Sequence, residues 1–123
     1  MKPKFRAWDK EEKRMWNVET LFIEDEWVRA NDGSIYGEHK DIVRSFLLLQ
    51  STGLKDVHEV EFFDKDIARD IDSGELGVVE YINGSFVMKF VGGDGVDLYD
   101  VKDNFEIIGN KFEHPHLLRS DGE

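Results

Sequence analysis

The side chains with the clearest chemical potential lie mid-chain, where acidic residues alternate with apolar ones. Asp64 and Asp66 occupy alternate positions, which in a strand would place both carboxylates on one face. Hydrolytic sites with two metal ions need such oxygen ligands close together, and a lysine to stabilise developing charge. The group suggests a metal-dependent nuclease, but a solvated strand face explains the same acids, and the spacing matches no specific nuclease motif. Its members are Asp64, Asp66, Asp70, Asp72, Glu61, Glu80 and Lys89.

The remaining chemistry-bearing residues form weaker patterns. His114 and His116 would point the same way in an extended segment and could chelate a metal, but no third ligand is nearby, and we favour a polar C-terminal tail. His39 and His58 stand among polar residues without a neighbouring Ser or Thr nucleophile. The chain has no cysteine, which excludes disulfides, thiolate metal sites and a cysteine nucleophile, and which favours a reducing compartment.

A series of acids at every third position departs from the calcium-binding loop, which has alternate acids and a terminal Glu. The glycine-rich residues 92–95 lack the Lys and the following helix of a phosphate-binding loop, so we interpret them as a turn. We therefore predict that the protein is not an enzyme and has no catalytic residues, bound metal or cofactor. The series consists of Asp94, Asp97, Asp100 and Asp103.

The charge is strongly acidic and unevenly distributed. The formal net charge is -11; residues 1–16 carry six Lys or Arg against three Asp or Glu, and the remainder carries ten against 24. Acidity opposes binding to nucleic acids and anionic membranes, because both are polyanions. It fits a well-solvated surface or a basic protein partner. The first ten residues, MKPKFRAWDK, contain no apolar segment of the kind found in signal peptides, and no apolar run approaches the ~18 residues of a membrane span. We therefore expect a soluble, cytoplasmic protein.

The one locally basic region of the chain is also rich in aromatic residues. That mixture stacks on single-stranded bases, but the acidic remainder opposes such binding, and core packing explains the aromatic residues as well. We expect instead that the protein forms a homo-oligomer, in which this basic end meets the acidic body of a neighbouring subunit. The predicted interaction surface is Phe5, Trp8, Trp16 and Trp27, alongside Lys2, Lys4, Arg6, Lys13 and Arg14.

The elements that would position these residues are strands. Residues 4–8 and 15–18 are short aromatic and apolar segments, and the charged residues 9–14 between them indicate a solvated turn, with a short helix as the alternative. Residues 31–34 have turn chemistry. Residues 44–50 read as a buried strand closed by a turn at residues 51–53, although a helix face over residues 38–50 fits part of the pattern. Another strand is expected to begin near Asp66 or Ile67.

The clearest local signal is Asn83-Gly84 between two alternating segments in residues 76–91, which predicts a two-residue type I′ hairpin. The turn fixes a register in which Tyr81 faces Phe86 and Ile82 faces Ser85. One face then carries the large apolar residues and is predicted to be the core face. Its members are Tyr81, Phe86, Val79, Met88 and Phe90, whereas Val78 and Glu80 lie on the wetter face.

The spacing of turns predicts the fold class. Residues 66–108 hold five short segments separated by Gly or Asn turns, including a strand or edge segment through Val96, Leu98 and Val101, which is typical of a strongly bent sheet or a small SH3-like barrel. We predict a mainly β chain forming one domain over residues 1–123. It can be subdivided into an N-terminal β-hairpin region, residues 1–60, and a small barrel, residues 61–118.

Five phrases occur together along the chain: KFRAWD at residues 4–9 with Met15, LQSTGLKD at 49–56, FFDKDI at 62–67, GVVEY at 77–81 and IIGNKFEHPHLL at 107–118. As a set they resemble the YopX family of phage and prophage proteins. The resemblance implies a mainly β fold, a phage or prophage origin and self-association, and it implies no reaction. The sequence departs from the family at residues 57–60, where relatives tend to have an Asn-Gly-like turn, and at Lys65, where the family favours Gly.

Three functions fit these observations. The favoured one is a phage or prophage accessory protein that serves as a non-enzymatic oligomeric binding or assembly module. One alternative is an acidic inhibitor that mimics DNA and occupies a basic host or phage protein. The other is a metal-dependent nuclease built on the central acids.

Overall fold

The computed structural model of the protein describes residues 5–22, 27–31, 38–42 and 46–118. The chain consists of two compact units, Met1–Gln50 and Ser51–Glu123. Antiparallel strands dominate both units, which confirms the predicted mainly β class. None of the helices in the described part of the chain has the length and apolarity needed to span a membrane.

The first unit is an antiparallel sheet in the order β4-β3-β2-β1-β5. Strand β1 pairs with β2 on one side and with the first half of β5 on the other. The strands are β1 Phe5–Asp9, β2 Arg14–Phe22, β3 Trp27–Asn31, β4 Glu38–Ile42 and β5 Phe46–Lys55, the last of which continues into the second unit.

The β1–β2 hairpin confirms the predicted strand pair with a solvated turn, and the alternative of a helix over residues 9–14 is wrong. The buried carboxylate of Asp9 shapes the turn, because its Oδ1 accepts hydrogen bonds from the N–H groups of Glu11 and Glu12 at 2.9 and 3.0 Å. The N–H of Lys13 donates to the carbonyl of Asp9 at 2.8 Å, with Lys13 at φ +59°. The side chain of Asp9 thus accepts hydrogen bonds from two backbone N–H groups in a turn made of charged, exposed residues.

Strand β5 corrects the sequence prediction at its end. It runs through Ser51, Thr52 and Gly53 to Lys55 instead of turning there. Gly53 adopts φ +78°, and the pairing of β5 with β6 (Glu61–Phe63) shifts register between Ser51 and Lys55. The Thr-Gly signal therefore marks a bulge within the strand, since glycine supplies a positive φ in bulges as well as in turns. Residues 32–34 of the predicted 31–34 turn, and residues 44–45, lie outside the described residues.

The second unit contains a curled five-stranded sheet in the order β10-β9-β8-β7-β11. Five strands between residues 66 and 110 confirm the predicted strongly bent sheet. After β6, the strands are β7 Asp66–Asp70, β8 Leu76–Ile82, β9 Ser85–Phe90, β10 Gly95–Asp97 and β11 Phe105–Asn110; α1 is Leu98–Val101, and Lys102–Asn104 and Pro115–Leu118 form 3₁₀ turns.

The core of the second unit draws on its strands and on α1. Burial of one large apolar side chain, such as Leu, Met or Phe, stabilises a fold by about 1.5–3 kcal/mol relative to leaving it exposed. Leu98 was predicted to lie on a strand or edge segment, but it begins the one-turn helix α1, where it is fully buried. Asp97 caps that helix by accepting from the N–H of Tyr99 at 3.0 Å, which explains why the strand ends there. The core residues are Phe62, Ala68, Val79, Met88, Leu98 and Phe105.

The β8–β9 hairpin has the predicted turn and register. Asn83 and Gly84 both adopt positive φ, at +50° and +85°, and Tyr81 faces Phe86. The predicted faces are only partly right. Tyr81 is 56% exposed although it lies on the core face, because the pairing of β8 with β7 ends at Val78 and the hairpin continues beyond it.

The face of β8 predicted to be wetter is also covered along the part that pairs with β7. Val78 is buried there, and so is Ile67, which lies opposite Val78 on β7. The curled sheet therefore buries apolar residues on both of its faces at this point. Alternation along one hairpin predicts which residues share a face of the strand. It does not predict which of the two faces the rest of the chain covers.

The outer edge of β11 is covered by the loop that precedes β6. The carboxylate of Asp56 accepts from the N–H groups of His58 and Val60 at 2.8 and 2.9 Å, and its other oxygen accepts from the N–H of Ile107 at 2.9 Å. The N–H of Val57 donates to the carbonyl of Phe105 at 3.0 Å. The loop thus occupies backbone groups that an open strand edge would offer to another chain.

Candidate functional site

The predicted group of central acids does not form a strand face. Asp64 and Lys65 make the turn between β6 and β7, with Lys65 at φ +71°, so Asp64 and Asp66 lie on different elements. Asp66 is 1% exposed, and its Oδ2 accepts a hydrogen bond from the N–H of Phe63 at 2.8 Å. The prediction that Asp64 and Asp66 share a solvated face is therefore wrong, because the chain turns between them and Asp66 is buried.

The other two acids of the group lie at the opposite end of β7. Asp70 accepts hydrogen bonds from the N–H groups of Asp72 and Ser73 and from the side-chain amide of Asn104, at 2.8, 3.1 and 2.9 Å. The two backbone hydrogen bonds and then the Asn104 bond lower the pKa of Asp70. Asp72 lies exposed in the turn after β7. Asp70 and Asp72 therefore belong to a turn and do not form a shared set of metal ligands with Asp64 and Asp66.

The described residues contain no group of three or more His, Asp or Glu side chains placed to hold a metal ion. That finding covers the central acids, the acids at every third position and the two C-terminal histidines. Asp97 caps α1, and the residues from Pro115 to Leu118 form a 3₁₀ turn rather than the extended segment that chelation by His114 and His116 requires. His114 instead accepts from the N–H of Asn110 through Nδ1 at 3.2 Å.

The structure does bring three charged side chains together at the β6–β7 turn. The Nζ of Lys65 lies 2.9 Å from Oε1 of Glu80 on β8 and 3.7 Å from Oδ1 of Asp64. The backbone of Lys65 is fixed on both sides, because its N–H donates to the carbonyl of Val79 at 2.7 Å and its carbonyl accepts from Lys111 at 3.0 Å. We call Asp64, Lys65 and Glu80 the turn cluster.

The turn cluster shifts the pKa values of its members apart. Burial raises the pKa of Asp64, with a further contribution from the charge of Glu80, and the charge and hydrogen bonds of Lys65 only partly offset this. Burial alone would raise the pKa of Glu80 as well, but the hydrogen bond from Lys65, its charge and the charges of Lys111 and Lys89 outweigh burial and lower it. Glu80 is therefore the carboxylate that Lys65 holds ionised.

The chemistry of the turn cluster is that of a structural link. Burial would lower the pKa of Lys65, but the hydrogen bond to Glu80 and the charges of Asp64 and Glu80 raise it. An ammonium group with a raised pKa stays protonated at neutral pH and cannot serve as a nucleophile or general base. The cluster ties the β6–β7 turn to β8, since Lys65 pairs with Glu80 through its side chain and with Val79 through its backbone.

The position of Lys65 also explains the departure from the family pattern noted above. Its φ of +71° lies in the left-handed region, where glycine has no steric cost. Glu59, within the second departing segment, adopts φ +66°. Both departures thus place residues with a Cβ where an Asn-Gly-like turn or a Gly would be favoured. At Lys65, the gain is a side chain that reaches Glu80 and Asp64.

The predicted aromatic interaction surface is largely internal. Trp8 is 7% exposed, Trp16 is 4% exposed, and Phe5 is half-buried, whereas the side chain of Trp27 lies outside the described residues. The guanidinium of Arg14 lies 4.6 Å from the ring centroid of Trp16, a cation–π contact. The two tryptophans thus act in packing within the chain. The proposal that the protein self-associates through this region remains a prediction.

Sequence reasoning missed a different exposed aromatic surface, at the end of the β8–β9 hairpin. We call residues 81–86 the hairpin tip. Tyr81 is 56% and Ile82 40% exposed, and the ring of Tyr81 contacts that of Phe86 edge-to-face, with centroids 4.9 Å apart. The sequence of the tip, YINGSF, contains no charged residue in a strongly acidic chain, and that absence was the available signal.

The two units also differ in charge. Residues 1–50 carry nine Lys or Arg against ten Asp or Glu, whereas residues 51–123 carry seven against 17. Around β10 and α1 the acids at every third position are all exposed, next to Tyr99, which is 66% exposed. We call this surface the acidic face, and its acids are Asp94, Asp97, Asp100 and Asp103.

Comparison with known proteins assigns the chain to a family. The sequence model of the family described as YopX protein matches residues 4–119. The chain belongs to the YopX family. This confirms the resemblance inferred from the sequence phrases. No curated protein sequence matches the chain.

Two solved structures share the fold of this YopX-family chain. One is the crystal structure of protein EF1440 from Enterococcus faecalis, with 29% identity, a TM-score of 0.69, and coverage of 97% of this chain and 99% of that one. The other is protein yopX from Bacillus subtilis, with 16% identity, a TM-score of 0.60, and coverage of 95% and 96%. The similarity extends over nearly the whole length of all three chains.

Proposed function

We propose that this YopX-family protein is a phage or prophage accessory protein of the bacterial cytoplasm that acts by binding protein chains, its own copies included, and not by catalysis. The observation that carries the proposal is the set of hydrogen bonds and ion pairs that the central acids make within the fold. Asp66 and Asp70 accept hydrogen bonds from the backbone and from Asn104, and Glu80 is paired with Lys65. Carboxylates engaged in this way support the fold and leave few oxygen atoms for a metal or a substrate.

A direct assay for turnover tests the non-enzymatic part of this proposal. The full-length protein is incubated with single-stranded and double-stranded DNA and RNA, with added Mg²⁺ or Mn²⁺, beside the variants Asp64→Asn and Glu80→Gln. We expect no cleavage above the protein-free level for any of the three proteins. Metal-dependent cleavage by the wild type that either variant abolishes would contradict the proposal and favour a nuclease.

Sedimentation velocity tests the binding part. We expect a mass above the 14.3 kDa of one chain at micromolar concentration, rising with concentration. A mass of one chain at every accessible concentration would contradict self-binding. This measurement and the cleavage assay fail independently, because neither outcome depends on the other.

The acidic face favours a second candidate, an inhibitor that occupies a basic host or phage protein. Four exposed carboxylates around one short helix, in a unit with ten more acids than bases, resemble the charge of DNA and complement a basic DNA-binding surface. Capture of a basic partner should then weaken steeply between about 0.05 and 0.5 M salt. The variant Asp94→Asn/Asp100→Asn/Asp103→Asn, which leaves the helix-capping Asp97 intact, should weaken capture as well. Capture insensitive to both changes would exclude this candidate.

A further inference from the structure

The hairpin tip extends past both of the strands that flank it. On one side the pairing of β8 with β7 ends at Val78, and on the other the pairing of β9 with β10 reaches only to Val87. Beyond Val78, the N–H of Lys65 still bonds to the carbonyl of Val79. In the described part of the chain, no strand pairs with residues 81–86 other than the two strands of the hairpin itself.

The backbone of the hairpin tip presents open edges. In a two-residue hairpin the residues that flank the turn, here Ile82 and Ser85, form the hydrogen-bonded pair, and the next pair does not bond across the hairpin. That next pair is Tyr81 and Phe86, so their N–H and C=O groups point outward, to the two edges. The orientation agrees with Val79, two residues before Tyr81, whose carbonyl accepts from Lys65 on that side.

The side chains of the hairpin tip are apolar and uncharged. Tyr81 and Ile82 are exposed, and Tyr81 lies against Phe86, so an aromatic pair stands at the end of a projecting hairpin. Aromatic residues are enriched in interface cores and at hot spots, where charged residues are depleted. Apolar side chains beside open strand edges are the combination that strand-to-strand association uses.

We propose that the hairpin tip is the surface on which a second copy of this chain docks, hairpin beside hairpin. The inference rests on the proposed binding function and names its contact. The same tip serves on both copies, which makes the contact self-complementary. The outward N–H and C=O groups of Tyr81 bond to those of the partner's Tyr81, and the aromatic pairs of the two copies pack together.

Charge identifies the occupant as a second copy. Each copy carries a net charge of -11, so two copies repel over most of their surfaces. The hairpin tip has no charged residue, and contact there meets the least repulsion. A basic partner would gain nothing from an uncharged tip and would be recognised at the acidic face instead. An identical chain presents the same uncharged surface and the same open edge.

Cross-linking tests the proposed proximity, since the chain has no cysteine of its own. We compare Ser85→Cys, at the hairpin tip, with Ser73→Cys, at an exposed turn at the other end of β8. In the proposed dimer the two positions 85 lie on the outer strands of the paired hairpins, about three strand spacings or about 15 Å apart. A bis-maleimide cross-linker of about that length should therefore join Ser85→Cys into a covalent dimer at least about tenfold faster than Ser73→Cys, because docking holds the two thiols at high effective concentration. Equal rates would overturn the proposal.

Substitution tests the contribution of the aromatic side chain. Tyr81→Ser should raise the dissociation constant of the dimer by about tenfold or more, as truncation of an interface aromatic commonly does. Tyr99→Ser is the matched control, because Tyr99 is also an exposed tyrosine but lies on the acidic face. Thermal unfolding of both variants shows that each remains folded. A dimer unaffected by Tyr81→Ser, or weakened equally by both substitutions, would contradict the proposal.

Salt separates this contact from the one predicted from the N-terminal charges. Docking through an uncharged tip should hold or strengthen when salt rises from about 0.05 to 0.5 M, because salt screens the repulsion between two acidic chains. A mass that falls to 14.3 kDa in high salt would favour the basic end meeting the acidic body of a neighbour. That result would overturn the tip proposal and leave the proposed binding function intact, whereas a chain monomeric in all conditions would overturn both.

Discussion

The β1–β2 and β8–β9 hairpins use their aromatic residues in opposite ways. The β1–β2 hairpin buries Trp8 and Trp16 and exposes a turn made entirely of charged residues. The β8–β9 hairpin exposes Tyr81 and has an uncharged turn of Asn83 and Gly84. Aromatic content therefore does not identify an interaction surface by itself. The position of the aromatic residues relative to the flanking strands determines whether they are buried or exposed.

The difference follows from how far each hairpin is supported. Strand β1 has a partner on both sides from Arg6 to Asp9, β2 and β5, and the buried Trp8 lies within that stretch. Strand β8 loses its pairing with β7 at Val78, four residues before it ends at Ile82. Where neighbouring strands stop, side chains on both faces become exposed, and the residue types at the turn then determine what the surface can bind.

The largest expected effect separates a packing aromatic from an exposed one. Trp16→Ala should lower the free energy of unfolding by about 3–5 kcal/mol, because it removes a buried indole and leaves a cavity. Tyr81→Ala should cost no more than about 1.5 kcal/mol, chiefly the ring contact with Phe86. Urea unfolding at one low protein concentration measures both. Similar costs for the two substitutions would break the contrast between the hairpins.

The next effect tests how the charged turn of the first hairpin is held. Asp9→Ala removes the acceptor of two backbone N–H groups and should cost about 1–2 kcal/mol. Asp9→Asn keeps an acceptor oxygen at the same place and should restore most of that stability. Thermal unfolding of the two variants checks this. If they are equally destabilised, the charge of Asp9 rather than its hydrogen bonds shapes the turn.

A pair of alanine substitutions compares the backbones of the two turns. Gly84 adopts φ +85° with open space around it, so Gly84→Ala should cost about 1–2 kcal/mol through backbone strain alone. Lys13 adopts φ +59° but already has a Cβ, so Lys13→Ala should change stability by less than about 0.5 kcal/mol. Chemical denaturation measures both. A large effect at Lys13 would show that its side chain, not its backbone, matters.

The smallest effect concerns the turn cluster, whose Glu80 directly precedes the hairpin tip on β8. The pKa of Asp64 is raised, so its charge costs stability at neutral pH, and the cost disappears as the pH falls through that pKa. The pKa of Glu80 is lowered, so its charge stabilises the fold above its ordinary pKa, and that contribution is lost on acidification. At about pH 7, Asp64→Asn should raise and Glu80→Gln should lower stability, each by under about 1 kcal/mol.

The control for that prediction is the pH dependence itself. As the pH falls through the raised pKa of Asp64 and then through the lowered pKa of Glu80, each carboxyl group becomes neutral, and both variants should converge toward the wild type in thermal unfolding. A difference that persists at low pH would mean that the substitutions act through packing. Equal signs at neutral pH would contradict the assignment of Glu80 as the ionised partner of Lys65.

Local signals predicted part of the fold well. Asn83-Gly84 gave both the turn and the register of the second hairpin, because a two-residue turn with two positive φ values leaves one pairing. The same logic failed at Gly53, where a positive φ serves a bulge, and at Leu98, where a strand gives way to one helical turn. Glycine marks a conformation but not the element that contains it.

The candidate sites depended on information that no local pattern holds. Asp64 and Asp66 alternate in sequence as strand residues do, but Lys65 takes a positive φ without glycine, so the turn between them has no signal. The turn cluster exists because Glu80 arrives from another strand. The exposure of Tyr81 likewise depends on where the pairing of β7 ends. Each of these features depends on contacts between residues that lie far apart in the sequence.

The placement of β11 next to β7 has a consequence for the nascent chain. Strand β7 lies between β8, which follows it closely, and β11, the last strand in the described part of the chain. Until β11 emerges, β7 presents an unpaired edge and the carboxylate of Asp56 lacks its bond to Ile107. Such long-range pairing slows folding and leaves strand edges open meanwhile. The order of translation thus makes the newly made second unit most vulnerable to misassociation just before its final strand arrives.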